Sequence, residues 1–363
     1  MSLRVGVWGI GNVGRPALRA VASHRELELR AVLVSAAAKE GRDAGELVGL
    51  PPLGVHASRD PAAALAAGLD AMAYTASGDM RPAEALADME TCLRAGSNVV
   101  STSFYPLLHP ALAPPKVRES IEAACRAGNA SIFVSGMDPG WVLDILPLLL
   151  TGVVADIEEI RIQELFNYAL YHQPDAVRQL AGFGTSMDAT PPMLLDFGLK
   201  MVWGPMLRIL AEALGQELDT IETHIEKRPL EREVEVPGMG VFEKGTQGAF
   251  RFEVRGMIGG RARIVAEHIT RIDDQCAPEW PSPPEGQGVH IVQIHGRPDL
   301  VVSLHAEDRF ETGAAAGGNA TAAGRIINAI PAVCAAPPGI LTPLDLPSMQ
   351  GASQIDWRSG DDQ

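Results

Sequence analysis

The sequence predicts two domains of different class: an α/β domain on a doubly wound parallel sheet, then an α+β domain containing a mostly antiparallel sheet. Three observations carry that expectation. The stretch "LRVGVWGIGNVGRPALRAV" (3–21) reads as a strand, a glycine-rich turn and a helix. Further strands alternate with helical segments up to residue 136, the pattern of a parallel sheet with crossover helices. Beyond residue 150 the texture changes to long runs of alternating apolar residues separated by Gly-rich turns.

In order, residues 3–8 form the first strand, and the helix after Gly14 carries Pro16 in its first turn, where a missing N–H is harmless. Strands follow at "LELRAVLVS" (27–35), "LDAMAYTA" (69–76), "SNVVSTS" (97–103) and "ASIFVSG" (130–136). Between the later ones lie the helical segments "RPAEALADMETCLRAG" and "PKVRESIEAACRAG", each stopped by glycine. In the second half, "IEEIRIQELFNYALY", "REVEVPGMGVF", "GAFRFEVRGMIGGRARIVAEHITRI" and "GVHIVQIHG" read as strands, interrupted by helices near 174–182 and 190–215. A Pro-rich loop spans 278–288, and a last helix is expected at 321–333. The expected division is a dinucleotide-binding domain over 1–143, with the helix and tail of 318–363 packing back on it, and a substrate-binding and oligomerisation domain over 144–317.

Composition narrows the function. A chain of 363 residues with 46% hydrophobic content can bury more than one core. A formal charge of -15, with acids spread along the chain, repels polyanions and argues against nucleic-acid binding. The most apolar stretch, "WVLDILPLLLTGVV", is broken by Asp144 and Pro147, so no membrane span is expected. Cys92, Cys125, Cys276 and Cys334 are far apart, without CxxC or histidine neighbours at ligand spacing, so no metal is expected. The N-terminus lacks the pattern of a secretory signal, which points to the cytoplasm and reduced thiols.

Gly9-Ile10-Gly11-Asn12-Val13-Gly14 matches GxGxxG in the context that gives the pattern meaning, after a strand and opening a helix. The first glycine permits the tight turn, the second lets the backbone approach a pyrophosphate, and the third lets helix and strand pack closely. The helix N-terminus then offers N–H donors to the anion. This is the signature of a Rossmann domain. An acid at the end of the second strand would select NAD, but the strand ends Val34-Ser35-Ala36. Ser35, Lys39 and Arg42 follow, and Arg15 lies beside the loop, so NADP(H) is favoured, with NAD(H) as the alternative. Lys39 and Arg42 also read as ordinary solvated loop charges. Ligands in such sheets lie beyond the carboxyl ends of the strands, which adds Thr75, Ala76, Ser77, Thr102, Ser103 and Gly136 to the cofactor set.

"GRDAGELVGL" (41–50) is similar to the GKDAGEL segment of dihydrodipicolinate reductases. "SGMDPGWVLDILPLLLTG" (135–152), "AEHITRIDD" (266–274) and the "INAIPAVCAAPPGILTPLDLP" tail resemble segments of the related 2,4-diaminopentanoate and native amine dehydrogenases. The resemblance implies an NAD(P)-dependent oxidoreductase moving hydride to or from a carbon bonded to nitrogen or oxygen, usually as a homodimer or larger oligomer. Two departures stand beside it. The His-His…Lys signature of the reductases is missing from 150–200, which removes the lysine-pathway reaction. The glutamate that amine dehydrogenases carry after the fourth strand is replaced here by Phe104 and Tyr105 in "STSFYPLLHP".

A hydride reductase also needs a proton donor within hydrogen-bond reach of the atom that gains charge. Three residues are candidates. Tyr105 is a donor or an aromatic filler. Asp138 is a donor, or the N-cap of a helix beginning at Trp141. His268 is favoured by the resemblance, and its neighbour Glu267 must point to the other face of their strand. Asn167, Tyr168, Tyr171 and His172, with Phe104, Trp141, Phe183 and Trp203, suggest an apolar substrate pocket of few charges. That composition suits a small, largely apolar ketone, imine or amine. The alternative from another class is a nucleotide-binding regulatory protein of the same fold without catalysis.

Overall fold

The computed structural model describes residues 2–78, 81–171, 173–283, 288–352 and 354. The chain divides into two compact units, residues 1–140 with 319–363, and residues 141–318.

The first unit begins with β1 (Leu3–Trp8), α1 (Gly14–Ser23), β2 (Leu27–Leu33), β3 (Ala57–Ser58), α2 (Pro61–Ala66) and β4 (Ala71–Tyr74). It continues through α3 (Pro82–Arg94), β5 (Asn98–Ser101), α4 (Pro115–Gly128) and β6 (Ile132–Val134). The second unit contains α5 (Ile145–Thr151), β7 (Ala155–Asn167), α6 (Asp196–Ala213), β8 (Thr220–Pro229), β9 (Val234–Val236), β10 (Gly240–Phe242), β11 (Gln247–Ile258), β12 (Arg261–Arg271), β13 (Gly288–Arg297) and β14 (Leu300–Leu304). The chain then runs through α7 (Ala314–Ala335) to β15 (Ile340–Leu341), and the first unit is complete.

The first unit's sheet is parallel throughout, in the order β3-β2-β1-β4-β5-β6-β15. The direction of winding reverses between β1 and β4, which opens a crevice beyond their carboxyl ends. Val5, Val7, Val32, Val100 and Phe133 of the sheet pack with Leu18 and Val21 of α1 and with Ile326, Ile327, Ile330 and Val333 of α7. The apolar face of the last helix thus closes the sheet that the N-terminal half begins. Each such side chain contributes about 1.5–3 kcal/mol when fully buried.

The second unit is a six-stranded mixed sheet, β14-β13-β7-β12-β11-β8, beside a small β9–β10 ribbon. Every pairing is antiparallel except β7 with β12. Helix α6 lies against β8, β11 and β12. None of the described helices is long and apolar enough to cross a membrane.

Several expectations need correction. The segment near 174–182 holds only a single wide turn at Ala176–Leu180, and the helix expected from 190 starts at Asp196, after Pro191 and Pro192 have kept the chain extended or tightly turned. Strands β3, β8, β14 and β15 and helix α2 were not expected. β8 and β14 are sheet edges whose side chains are mostly half-exposed, so their apolar signal is weak. No helix starts at Trp141, because Asp138, Pro139 and Gly140 have non-helical backbones. The helix begins at Ile145, and Asp144, not Asp138, accepts its first N–H.

Candidate active site

Three glycines shape the loop from β1 to α1, for different reasons. Gly9 has φ +96, and a Cβ there would stand 2.6 Å from the Ala76 nitrogen; a Cβ on Gly14 would stand 1.8 Å from the Gly9 carbonyl oxygen. The fold itself therefore demands both. A Cβ on Gly11 would meet nothing within 4 Å. The fold itself therefore places no steric demand on Gly11. Gly11 and Asn12 are exposed, Val13 is half-buried at the helix start, and no side chain caps the first turn of α1, so its N–H groups face outward for an anion. The residues fit a nicotinamide dinucleotide.

Thr75 holds the two sides of the crevice together: its hydroxyl donates to the Gly9 carbonyl at 2.7 Å and its N–H to the Trp8 carbonyl at 2.8 Å. Ala76 accepts a short hydrogen bond from the Ser103 hydroxyl, which fixes the loops after β4 and β5 to each other. Ser77 is exposed and Thr102 half-buried, while Gly136 is buried at the end of β6. Past β2, Ser35 and Arg42 are exposed, and the Lys39 ammonium donates to the Ile10 carbonyl at 2.7 Å. Lys39 is therefore no free loop charge; it is fixed against the glycine loop with two further protons to offer. Arg15 is half-buried in the first turn of α1. Phe104, where the family's glutamate is expected, is buried with φ 69, and Tyr105 beside it is half-buried. Asp138 is half-buried.

The second unit assembles a separate cluster, and strand register explains it. Ile225 pairs with Phe252, Phe252 with His268, His268 with Glu164, Glu164 with His290, and His290 with Leu304. Cross-strand partners point to the same face, so these six side chains form one row across β8, β11, β12, β7, β13 and β14. Glu164 Oε1 lies 3.5 Å from His268 Nδ1, and Oε2 lies 3.2 Å from His290 Nε2. Burial opposes the Glu164 charge, but the charge and hydrogen bonds of His268, then of His290, outweigh it and hold the carboxyl well below its usual range.

Aromatic rings surround this row. The His268 imidazole stacks on Phe252 at 4.7 Å between centroids, and Trp203 of α6 meets it edge-on at 4.8 Å. Tyr168 and Tyr171 lie 5.3 Å apart beside Phe166, and Tyr168 also touches Phe183 and Phe250. Phe183 is 1% exposed, so it backs this wall instead of lining a pocket. Asn167 donates to Asp274 at 2.8 Å and accepts the Ala169 N–H at 2.9 Å, which turns the chain after β7. Trp141 is half-buried; His172 lies outside the described residues.

On the opposite face, Glu267 is 1% exposed and accepts from Arg161 at 2.7 Å, Arg251 at 2.6 Å and Gln163 at 2.9 Å. Glu253 joins the network through Arg161 and Arg255. Two adjacent carboxylates here are structural, each neutralised by guanidinium.

Glu164 and His290 were not among the sequence candidates, yet a signal existed. Ile160, Ile162 and Phe166 mark the inward phase of β7, and Glu164 interrupts it with a charge; His290 stands likewise in phase with Val292 and Ile294. A charge on the apolar phase of a strand asks for a partner.

Comparison with known proteins places both halves. Residues 141–358 match the 2,4-diaminopentanoate dehydrogenase C-terminal domain, and residues 3–104 match the dihydrodipicolinate reductase N-terminus. An amine dehydrogenase of Streptomyces virginiae is 51% identical over 343 residues, covering 94% of this chain and 95% of that protein. A 2,4-diaminopentanoate dehydrogenase of Acetoanaerobium sticklandii is 23% identical over 256 residues, covering 69% and 66%. The structure of an amine dehydrogenase from Mycobacterium smegmatis superposes with a TM-score of 0.74 at 20% identity, covering 98% of this chain and 99% of that one.

Proposed function

The chain belongs to the dihydrodipicolinate reductase-like family of amine and 2,4-diaminopentanoate dehydrogenases, and from that premise we propose that it interconverts a small, largely apolar amine with its ketone through the C=N bond, preferring NADP(H). It is an NAD(P)-dependent oxidoreductase of amines or related substrates. The observation that carries the finer reading is the row in the second unit: a half-buried carboxylate between two imidazoles, walled by Phe252, Trp203 and further rings. Such a surface suits an apolar body bearing a single polar head, and gives a dicarboxylate little to bind.

When bound, the nicotinamide supplies or accepts the hydride. The chain's own residues do the rest. Gly11 and the start of α1 receive the pyrophosphate, and Ser35, Lys39 and Arg42, with Arg15, receive the ribose 2′-phosphate; this is the proposed work of residues 1–143 with 318–363. The proposed substrate surface is made by Trp141 and, within residues 144–317, by Tyr168, Tyr171 and Trp203. His268, Asp138 and Tyr105 are the proposed groups for moving the proton at the reacting nitrogen or oxygen. The four cysteines are free, which agrees with the proposed cytoplasmic location, and a homodimer is the proposed assembly. The reading is tested by NADPH consumption over a panel of apolar ketones, with and without ammonium.

A further inference from the structure

We propose that Asp43 acts in cofactor selection without touching the cofactor: it holds the loop of residues 39–54 in the shape that brings Lys39 and Arg42 to the ribose 2′-phosphate. This deepens the proposed preference for NADP(H) and rests on it for the identity of the ligand, while the loop itself is argued from geometry.

Asp43 lies in "GRDAGELVGL" (41–50), which follows β2 on the side where the ribose is expected. An acid there can take the 2′-hydroxyl of NAD. Asp43 is turned to another task. It is 8% exposed, and its carboxylate accepts three backbone N–H groups: Gly45 at 2.7 Å and Leu53 at 2.9 Å on Oδ1, and Gly54 at 2.8 Å on Oδ2. These bonds, that of Leu53 foremost, outweigh burial and hold the carboxyl below its usual range. The anion serves the loop and is not offered to a ligand.

The loop leaves and rejoins the edge of the sheet at one place. Ala44 N–H donates to the Val55 carbonyl at 2.8 Å, Ala57 N–H to Arg42 at 2.9 Å, and Gly41 N–H to Ala57 at 2.8 Å. The return arm, residues 51–54, is exposed, so apolar burial does little to fix it, and the bonds of Leu53 and Gly54 to Asp43 do. Gly45 packs so closely that a Cβ would stand 2.0 Å from the Pro51 carbonyl oxygen. Two contacts tie the loop to the cofactor turn: the Lys39 ammonium on the Ile10 carbonyl at 2.7 Å, and Arg19 of α1 on the Val48 carbonyl at 2.8 Å. Neither Lys39 nor Arg42 has an acid partner among the described residues, and Glu40 between them pairs with Arg59 at 3.9 Å. Two such cations suit a phosphate, and the hydroxyl of NAD gives them nothing to neutralise.

Two roles for Asp43 predict opposite signs. As a bare charge near the site it repels the phosphate, and neutralising it would tighten NADPH binding. As the clasp of the loop it cannot be replaced by Asn, whose amide turns a donor toward N–H groups that need an acceptor. The return arm then loosens, Lys39 and Arg42 lose their place, and NADPH binding weakens while NADH binding does not.

The test is fluorescence titration of the full chain with NADPH and with NADH. Asp43→Asn is expected to weaken NADPH by about tenfold or more, the scale of one lost charge-assisted contact, and to leave NADH unchanged. Tighter or unchanged NADPH binding overturns the proposal, and so does an equal loss for both cofactors, which marks a purely structural residue. Should Asp43→Asn fail to fold, hydrogen exchange on the wild type decides: the Gly45, Leu53 and Gly54 amides must exchange more slowly with NADPH bound than with NADH, and equal protection overturns it. A wild type that prefers NADH refutes the proposed cofactor preference, and the clasp is then judged by whether Asp43→Asn still weakens NADPH alone. A preference for NADPH that Asp43→Asn keeps in full refutes the clasp and leaves the preference standing.

Discussion

Glu164 and His268 face each other at 3.5 Å across the parallel pairing of β7 with β12. The pairing places an acid and an imidazole in register on the face that Trp203 and Phe252 cover. Their neighbours in sequence, Gln163 and Glu267, are in register on the other face and belong to the arginine network. Two adjacent residues on one strand thus serve different ends: Glu267 holds the sheet, and His268 faces the candidate site.

The folded state holds the Glu164 carboxyl below its unfolded value, so this group contributes stability above pH about 4.3 and loses it as pH falls through the lower folded value. Glu164→Gln should cost on the order of 3 kcal/mol at neutral pH, the scale of breaking a buried ion pair. Urea melts of both proteins should show a gap that closes in acid as Glu164 takes up its proton. A gap that stays open in strong acid would mean that the ionised carboxylate is not what the substitution removes.

The cofactor loop separates two kinds of glycine. Gly11→Val should leave the melting temperature unchanged and abolish NAD(P)H binding in fluorescence titration, because its side chain enters space that the protein leaves empty. Gly14→Val should cost the fold at least about 1–3 kcal/mol, since its Cβ collides with backbone. Undiminished cofactor affinity in Gly11→Val would remove the loop from the site.

Preference for the phosphorylated cofactor rests on Ser35 and on the position of Lys39. Ser35→Asp should shift the preference toward NADH by adding an acceptor for the 2′-hydroxyl and a charge that repels the phosphate. Lys39→Met should weaken NADPH more than NADH. Wild-type protein that already binds NADH more tightly would contradict this part of the site.

On the structural face, Glu267→Ala should destabilise by about 3–5 kcal/mol, because it strands two arginines beside Glu253. Chemical denaturation measures it directly, and a loss under about 1 kcal/mol would show the network to be solvent-screened.

How much of this was legible in the sequence depended on whether the residues signal locally. The glycine loop, the alternating strands and the long β11–β12 hairpin are read from periodicity and turn residues within one segment. β8, "TIETHIEKRP", is an edge strand whose polar positions hide the alternation, and the 57–66 segment has too few residues to show a period. His268 was within reach because its segment, "AEHITRIDD", resembles that of the related dehydrogenases. Glu164 was not, since its meaning comes from β12 and β13, more than a hundred residues away, and only register places them beside it. Asp138 read as a helix cap because Asp before Pro-Gly imitates one; Gly140, with φ 143, keeps that backbone out of the helix.

Proton transfer is the next expectation. His268→Asn, Asp138→Asn and Tyr105→Phe preserve shape, and removal of the responsible group should lower kcat by about 10²-fold or more while leaving cofactor affinity intact. Near-normal kcat in all three would point to a proton carried by another group.

The most direct measurement is NADPH consumption with an apolar ketone, run on one preparation with and without ammonium. Consumption that requires ammonium and yields the primary amine is the result expected of an enzyme acting through the C=N bond. Consumption at the same rate without ammonium, or none with any ketone of the panel despite tight NADPH binding, would contradict it.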